Sequence, residues 1–222
     1  QTANAFNQMR TRIKRFLKQR TEMLAGVSHD LRTPLTRMKL QISLMKDEKA
    51  KSELEVDVNE MTSMLDSYVS FVKTESPEPI ETIIINELIG DIVKTVEKNG
   101  VELTIKEKNA IQTSGRQIQL KRAFNNIIDN SQRYAKKIEI ILYTNEKDCV
   151  IEFNDDGEGI PRDKYEDVFK PFFTLDPSRN KLKGESGLGL TITRDIIRSH
   201  GGDVKLSDSN LGGLQLKVLL PL

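Results

Sequence analysis

Leu31-Arg-Thr-Pro-Leu-Thr-Arg-Met-Lys-Leu-Gln-Ile-Ser-Leu-Met45 decides the fold of the first third of this chain. Leu31, Leu35, Met38, Ile42 and Met45 follow one another at alternating steps of four and three residues. That rhythm is the seam of a helix packed at a shallow angle against a neighbour. Leu24 precedes the series. After a polar gap from Lys46 to Lys51 it resumes in Leu54, Val58, Met61, Leu65, Tyr68 and Val72. Only Gly26 and Pro34 interrupt residues 1–75 as helix breakers. The gap suits a helical hairpin with antiparallel neighbours. One such hairpin leaves its apolar stripe half covered, and a second copy completes it, so a homodimeric four-helix bundle is expected.

Beyond Glu75-Ser-Pro-Glu-Pro79, a linker by composition, the period changes. Residues 86–99 read as helix and 101–108 as a strand. Residues 116–134 read as helix again, with Ile118, Phe124, Ile127 and Ile128 as apolar members. Paired strands are expected over 137–144 and 148–153, a helix over 187–199, and a final strand pair within 203–220 turning at Asn210–Gly213. Strands mixed with helices that do not strictly alternate predict an α+β sandwich, with helices on one face of a mixed sheet. No internal repeat or low-complexity tract is present.

Composition narrows the function. The 222 residues carry 34 basic against 33 acidic side chains, 37% hydrophobic residues and one Cys. A net charge of +1 removes the electrostatic case for a nucleic-acid binder. A single Cys excludes an internal disulfide framework and a Cys-rich zinc site, so a reducing compartment is expected. No apolar run reaches membrane-spanning length and no signal peptide opens the sequence, so the chain reads as intracellular and folded. Cys149, within a strand, reads as a core residue. His200 reads as a helix C-terminal residue suited to the dipole there.

Four segments could carry chemistry. His29 stands in Ser28-His-Asp-Leu-Arg-Thr-Pro-Leu35, two positions before a seam residue, and so projects away from the core. From position alone a solvated surface histidine is an equal reading. Asp30 can accept from Nδ1–H and leave the Nε2 lone pair free as a nucleophile. Pro34 deletes the amide that would bond the Asp30 carbonyl, and a bend there is expected. Asn126 and Asn130 share one helix face, with Arg133 and Tyr134 following. A neutral amide oxygen is a hard ligand for phosphate-bound Mg²⁺. Asp155-Asp-Gly-Glu-Gly159 follows a strand, where glycines admit close approach and a buried carboxylate can accept from an exocyclic amine. Gly184-Glu-Ser-Gly-Leu-Gly189 opens a helix and supplies amides for an anion. Between the two glycine segments lies a long irregular stretch with Phe169, Phe172 and Phe173, expected to be a mobile lid. Alone, an Asn pair is ordinary helix surface, and Asp-x-Gly-x-Gly is an ordinary turn.

In this order the segments resemble the H, N, G1, F and G2 boxes of bacterial sensor histidine kinases, of the EnvZ type, over almost the whole chain. The resemblance implies a dimerisation and phosphotransfer (DHp) hairpin and a GHKL (Bergerat) α/β sandwich. Residues 1–20 would be a HAMP-like connecting helix, 21–75 the phosphotransfer domain, 76–81 the linker and 82–222 the ATP-binding domain. It further implies that His29 accepts the γ-phosphoryl group of ATP, that Asp30 orients it, and that Thr33 positions a dephosphorylating water. Asn130 would hold Mg²⁺ with Asn126 nearby, Arg133 would meet phosphate, and Tyr134 would lie against the adenine. Asp155 would receive the adenine amine. Gly157 and Gly159 would floor the pocket, while Gly187, Leu188 and Gly189 close on the phosphates. The implied partners are a second copy, ATP and the receiver domain of an OmpR-like response regulator, with no nucleic acid. The implied location is the cytoplasmic side of a bacterial inner-membrane receptor. Glu185, standing where the family has glycine, is left outside the site. A GHKL ATPase without phosphotransfer would share the nucleotide pocket but has no use for the His29 segment, and a dimeric scaffold would leave the glycine segments idle. The basic run Arg10, Arg12, Lys14, Arg15, Lys18 and Arg20 is a solvated helix face near a membrane, or a lipid or nucleic-acid contact.

Overall fold

A computed structural model of the chain describes residues 2–72, 78–96, 101–107, 109–175 and 187–222. It divides into two compact units at residues 76/77.

The first unit is a hairpin of α1 (Thr2–Ser43) and α2 (Glu48–Val72). At 1.5 Å per residue α1 is roughly 63 Å long, so the expected connecting helix and the helix bearing His29 are one continuous element. Gly26 and Pro34 both lie inside it, and the helix runs on through Pro34 rather than ending there. The turn is shorter than the polar gap suggests. Asp47 Oδ1 accepts from the Lys49 and Ala50 amides (3.1 and 3.2 Å) and so caps α2. Leu35, Ile42 and Val58 are buried together, with Met45 and Leu65 packed against them. Leu31, Met38, Leu54 and Met61 remain between 41% and 52% exposed. Those four stand at seven-residue steps within each helix, so a second apolar stripe runs uncovered along the hairpin. The side chains of Leu24, His29, Tyr68 and Val72 lie outside the described residues.

The second unit begins with β1 (Glu81–Ile84), α3 (Ile85–Val96), β2 (Glu102–Glu107), β3 (Gln112–Gly115) and α4 (Gln117–Tyr134). It continues through β4 (Lys137–Thr144), β5 (Asp148–Asp155), α5 (Gly189–Ser199), β6 (Asp203–Asp208) and β7 (Leu214–Pro221). Two single 3₁₀ turns, Arg162–Lys164 and Asp167–Phe169, lie between β5 and α5. A mixed five-stranded sheet has the order β2-β4-β5-β7-β6, with only β2–β4 parallel. Its inward row, Ile138, Ile140, Leu142, Ile151, Phe153 and Val218, is buried. It meets the apolar stripes of α3, α4 and α5, of which Ile89, Phe124 and Ile196 are fully covered. Each such side chain contributes about 1.5–3 kcal/mol of burial. Phe124 and Phe153 join the layers with ring centroids 6.0 Å apart. Cys149 is buried, and burial pushes its thiol up to about 12, which makes it an inert core residue. The sandwich with helices on one face matches the sequence expectation.

Three details differ from that expectation. Ile118 is 73% exposed and takes no part in the core; Leu120 and Ala123 fill that role instead. β1 and β3 form a small antiparallel sheet that periodicity does not reveal, because each has four residues and β1 runs straight into α3. Glu78 and Glu81, assigned to the linker from sequence, belong to this second unit. The Glu78 carboxylate accepts from the Ile118 and Gln119 amides and caps α4, whose own N-cap residue, Arg116, supplies no side-chain bond. Among the described residues, no helix is long and apolar enough to cross a membrane.

Candidate active site

Asp155 ends β5. Alternation puts Cys149, Ile151, Phe153 and Asp155 on the helix-facing side of the sheet, so a carboxylate stands where the pattern would put an apolar residue. It is only 5% exposed. Buried charge must be met by donors, and three are present. Oδ1 accepts from the Leu214 and Gly157 amides (2.9 and 3.0 Å), and Oδ2 accepts from the Ser131 hydroxyl (3.3 Å). Oδ2 thus keeps acceptor capacity for one more donor, such as an exocyclic amine.

Glycine is required around this carboxylate for space. A Cβ on Gly157 would come within 3.1 Å of both Asp155 Oδ1 and the Tyr134 carbonyl. On Gly213 it would lie 2.3 Å from Asp155 Oδ1 and 2.4 Å from the Gly157 nitrogen. Gly159 adopts φ 71°, in the left-handed region. Asp156 turns outward, and its Oδ1 accepts from the Lys136 and Lys137 amides (2.7 and 2.8 Å). Those bonds, Lys137 foremost, hold its carboxyl below the usual range.

α4 and α5 meet at the other side of the site. Asn126 Nδ2 donates to the Gly189 carbonyl (3.3 Å), which also accepts from Thr193 Oγ1 (2.9 Å). Asn130, one turn further along α4, is half-buried. Tyr134 closes α4 at 36% exposure, its carbonyl against Gly157. Arg133 lines a cavity of about 370 Å³ with Val101, Asp129 and Gln132. Burial pushes the Asp129 carboxyl up and the Arg133 charge pulls it part of the way back. Leu188 is buried at the N-terminus of α5 and gives no side-chain cap, which leaves the first-turn amides to other acceptors. Gly187 has φ 63°, and a Cβ there would meet the Phe172 backbone at 2.8 Å.

Two family models match this chain. One is the His Kinase A (phospho-acceptor) domain over residues 19–76. The other is the histidine kinase-, DNA gyrase B-, and HSP90-like ATPase over residues 115–222. The chain belongs to the sensor histidine kinases. It is 33% identical over 223 residues to the sensor histidine kinase GtrS of Pseudomonas aeruginosa, covering 100% of this chain and 46% of that protein. It is 32% identical over 230 residues to CpxA of Escherichia coli, covering 98% and 50%. The chain therefore spans about half the length of the curated relatives it matches. Among solved structures, the mycobacterial sensor histidine kinase MprB superposes on 64% of this chain and 97% of its own at TM-score 0.57 and 24% identity, a likeness of fold.

In this histidine kinase chain the expected residues fall into two groups. Asn126, Asn130, Tyr134, Asp155, Gly157, Gly159, Gly187, Leu188 and Gly189 all belong to the second unit, on α4, at the end of β5 and at the start of α5. Arg133 is on α4 as well but lines the cavity with Val101, Asp129 and Gln132, none of them an expected site residue. His29, Asp30 and Thr33 lie on α1 in the first unit, where Asp30 and Thr33 are exposed and the imidazole is outside the described residues. Gly184 and Glu185 are outside them as well. Sequence reading missed Ser131, Gly213 and Leu214. Ser131 had a signal, a hydroxyl four residues after Ile127 on an apolar face. Gly213 and Leu214 had none, being 58 and 59 residues from the carboxylate they serve. His200 is the C-terminal cap of α5, as expected, and does more besides. Nδ1 bonds the Ile196 carbonyl (2.7 Å) in the last turn and Nε2 accepts from the Arg116 amide (3.0 Å), so the ring also connects the end of α5 to the start of α4.

Proposed function

We propose that the chain is the catalytic portion of an ATP-dependent sensor histidine kinase that phosphorylates its own His29 and passes the group to an aspartate of a response regulator. The observation that carries this reading is a buried carboxylate, Asp155, fully braced from the protein side yet able to accept one more donor, in a chain whose other unit matches a phospho-acceptor domain across His29. Asp155 reads the adenine amine and Tyr134 lies against the ring. Gly157 and Gly159 floor the pocket. Gly187, Leu188 and Gly189 turn the α5 amides toward the phosphates, Arg133 adds positive charge, and Asn126 ties α4 to Gly189.

The Asn130 amide oxygen, hard and half-buried one turn from Asn126, suits Mg²⁺, which when bound offsets triphosphate charge. His29 Nε2 forms an N–P bond to the γ-phosphorus as the bridging O–P bond breaks and ADP leaves. Asp30 holds Nδ1–H and stabilises the cationic ring before its proton is lost. Thr33 orients a water for the reverse duty, dephosphorylation of the regulator, whose receiver domain is of the OmpR-like kind. Two copies form the functional unit through the uncovered Leu31/Met38 and Leu54/Met61 stripes. The domains follow the sequence reading except at the linker: 1–20 a HAMP-like connecting helix, 21–75 phosphotransfer and 82–222 ATP binding, with Glu78 and Glu81 of the expected 76–81 linker joined to the ATP-binding domain. The parent is a bacterial inner-membrane receptor, with this portion in the cytoplasm.

The test is incubation with Mg²⁺ and ATP labelled at the γ-phosphate, followed by alkaline handling and mass spectrometry. Phosphate on His29, lost in His29→Ala while nucleotide affinity persists, is the expected outcome. Label retained by His29→Ala sinks the assignment.

A further inference from the structure

Arg194 lies one turn into α5, away from every group assigned above, yet its side chain is only 14% exposed. Two residues of the segment before α5 and one of β6 converge on it. Its guanidinium carbon stands 4.4 Å above the Phe169 ring centroid, within cation–π range. Nη1 and Nη2 donate to the two Glu166 oxygens (2.7 and 3.3 Å), a forked pair. Asp203 lies 3.9 Å from Nε on the far side. One turn earlier on the same helix, the Thr191 hydroxyl donates to the Phe169 carbonyl (2.9 Å), so ring and backbone of Phe169 are both fixed to α5. Three residues on, Phe172 takes φ 63°, rare for a side chain of that size. Its amide donates to the Gly187 carbonyl (3.0 Å), and its backbone leaves no room for a Cβ at Gly187. Arg194 and Thr191 thus fix Phe169, three residues before Phe172, and the Phe172 backbone in turn meets Gly187, two residues before α5.

We infer that Arg194 is a positioning residue for the phosphate half of the nucleotide site, acting through Phe169 and Phe172 on the backbone of Gly187. The inference rests on the reading of Gly187–Gly189 as a phosphate cradle and adds a residue to it. Surface ion pairs contribute little when both partners are solvated. Here the cation is shielded, stacked and forked, so its grip on the segment is firm, and Glu166 is its solvent-facing half at 79% exposure. The donors that brace Asp155, Ser131, Gly157 and Leu214, stand outside this series, so base recognition and phosphate recognition should separate.

That separation is what calorimetry with ATP, ADP and adenosine in Mg²⁺ buffer reads, using the 222-residue chain. Arg194→Gln, which keeps a polar side chain but shortens it and loses the charge, should weaken ATP and ADP about tenfold while changing adenosine by less than about twofold. Arg194→Lys, which keeps the cation over Phe169, should recover most of the loss. Glu166→Gln, at an exposed position that the fold tolerates, should weaken ATP roughly threefold and decides the matter should Arg194→Gln not fold. Unchanged ATP affinity in these variants overturns the inference, and so does an equal loss for adenosine, which would mark general unfolding. A wild-type chain that does not bind ATP overturns the parent reading and this one with it. A wild-type chain that binds ATP beside an Arg194→Gln that binds it equally overturns this one alone.

Discussion

Asp155 shows what one side chain costs and what it enables. A carboxylate at the end of a buried row is tolerated because two amides and a hydroxyl face it, drawn from α4, the turn after β5 and the start of β7. Gly213 is the condition for that arrangement, since its backbone packs flat on the carboxylate. Gly213→Ala should therefore cost about 1–3 kcal/mol of stability through forced displacement and lose ATP affinity. Asp155→Asn, close in shape, should keep most of the stability while affinity falls roughly 10- to 100-fold. Thermal melts and calorimetry on the two variants separate fold from recognition, and equal ATP affinity in Asp155→Asn would refute the role of the carboxylate. Asp155 was legible through the order of the segments around it, since Asp-x-Gly-x-Gly alone is an ordinary turn, and the structure shows it buried. Ser131, Gly213 and Leu214 were not singled out. Two of them act across nearly 60 residues of chain, and no local period carries that distance.

Among the elements, the long strands and helices were readable because each repeats its pattern several times, as β4 does with Ile138, Ile140 and Leu142. β1 and β3 were not, being too short to show a period and, in β3, polar. The start of α4 is a different case. Its cap comes from Glu78, some 40 residues earlier, so a composition-based linker hides a structural bond. Glu78→Ala leaves two amides of the Asn-bearing helix without that acceptor and should destabilise the second unit by about 1 kcal/mol. Chemical denaturation followed by a probe in that unit measures it, with Glu78→Gln giving partial recovery. An unchanged midpoint in Glu78→Ala would show the cap to be idle.

For the molecule as a whole, the hairpin poses a question of completeness. Leu35, Ile42 and Val58 satisfy one seam, whereas Leu31, Met38, Leu54 and Met61 present a second with no covering element among the described residues. Contiguous exposed apolar stripes mark interfaces. Light scattering at micromolar concentration should give twice the 25.2 kDa of one chain. Met38→Glu with Met61→Glu should return the single-chain mass, because an unpaired charge buried in such a seam costs several kcal/mol. A wild-type mass of one chain would sink the dimer.

The position of β7 carries a consequence for biosynthesis. Although latest in sequence, it is an interior strand, flanked by β5 and β6, and its first amide belongs to Asp155. A nascent polypeptide that has emerged only as far as residue 213 holds every other strand of the sheet but cannot zip β5 to β6 or supply the Leu214 amide to the Asp155 carboxylate. Premature termination thus yields products that are inactive by construction, and translation must run through residue 220 before the enzyme can be charged with nucleotide.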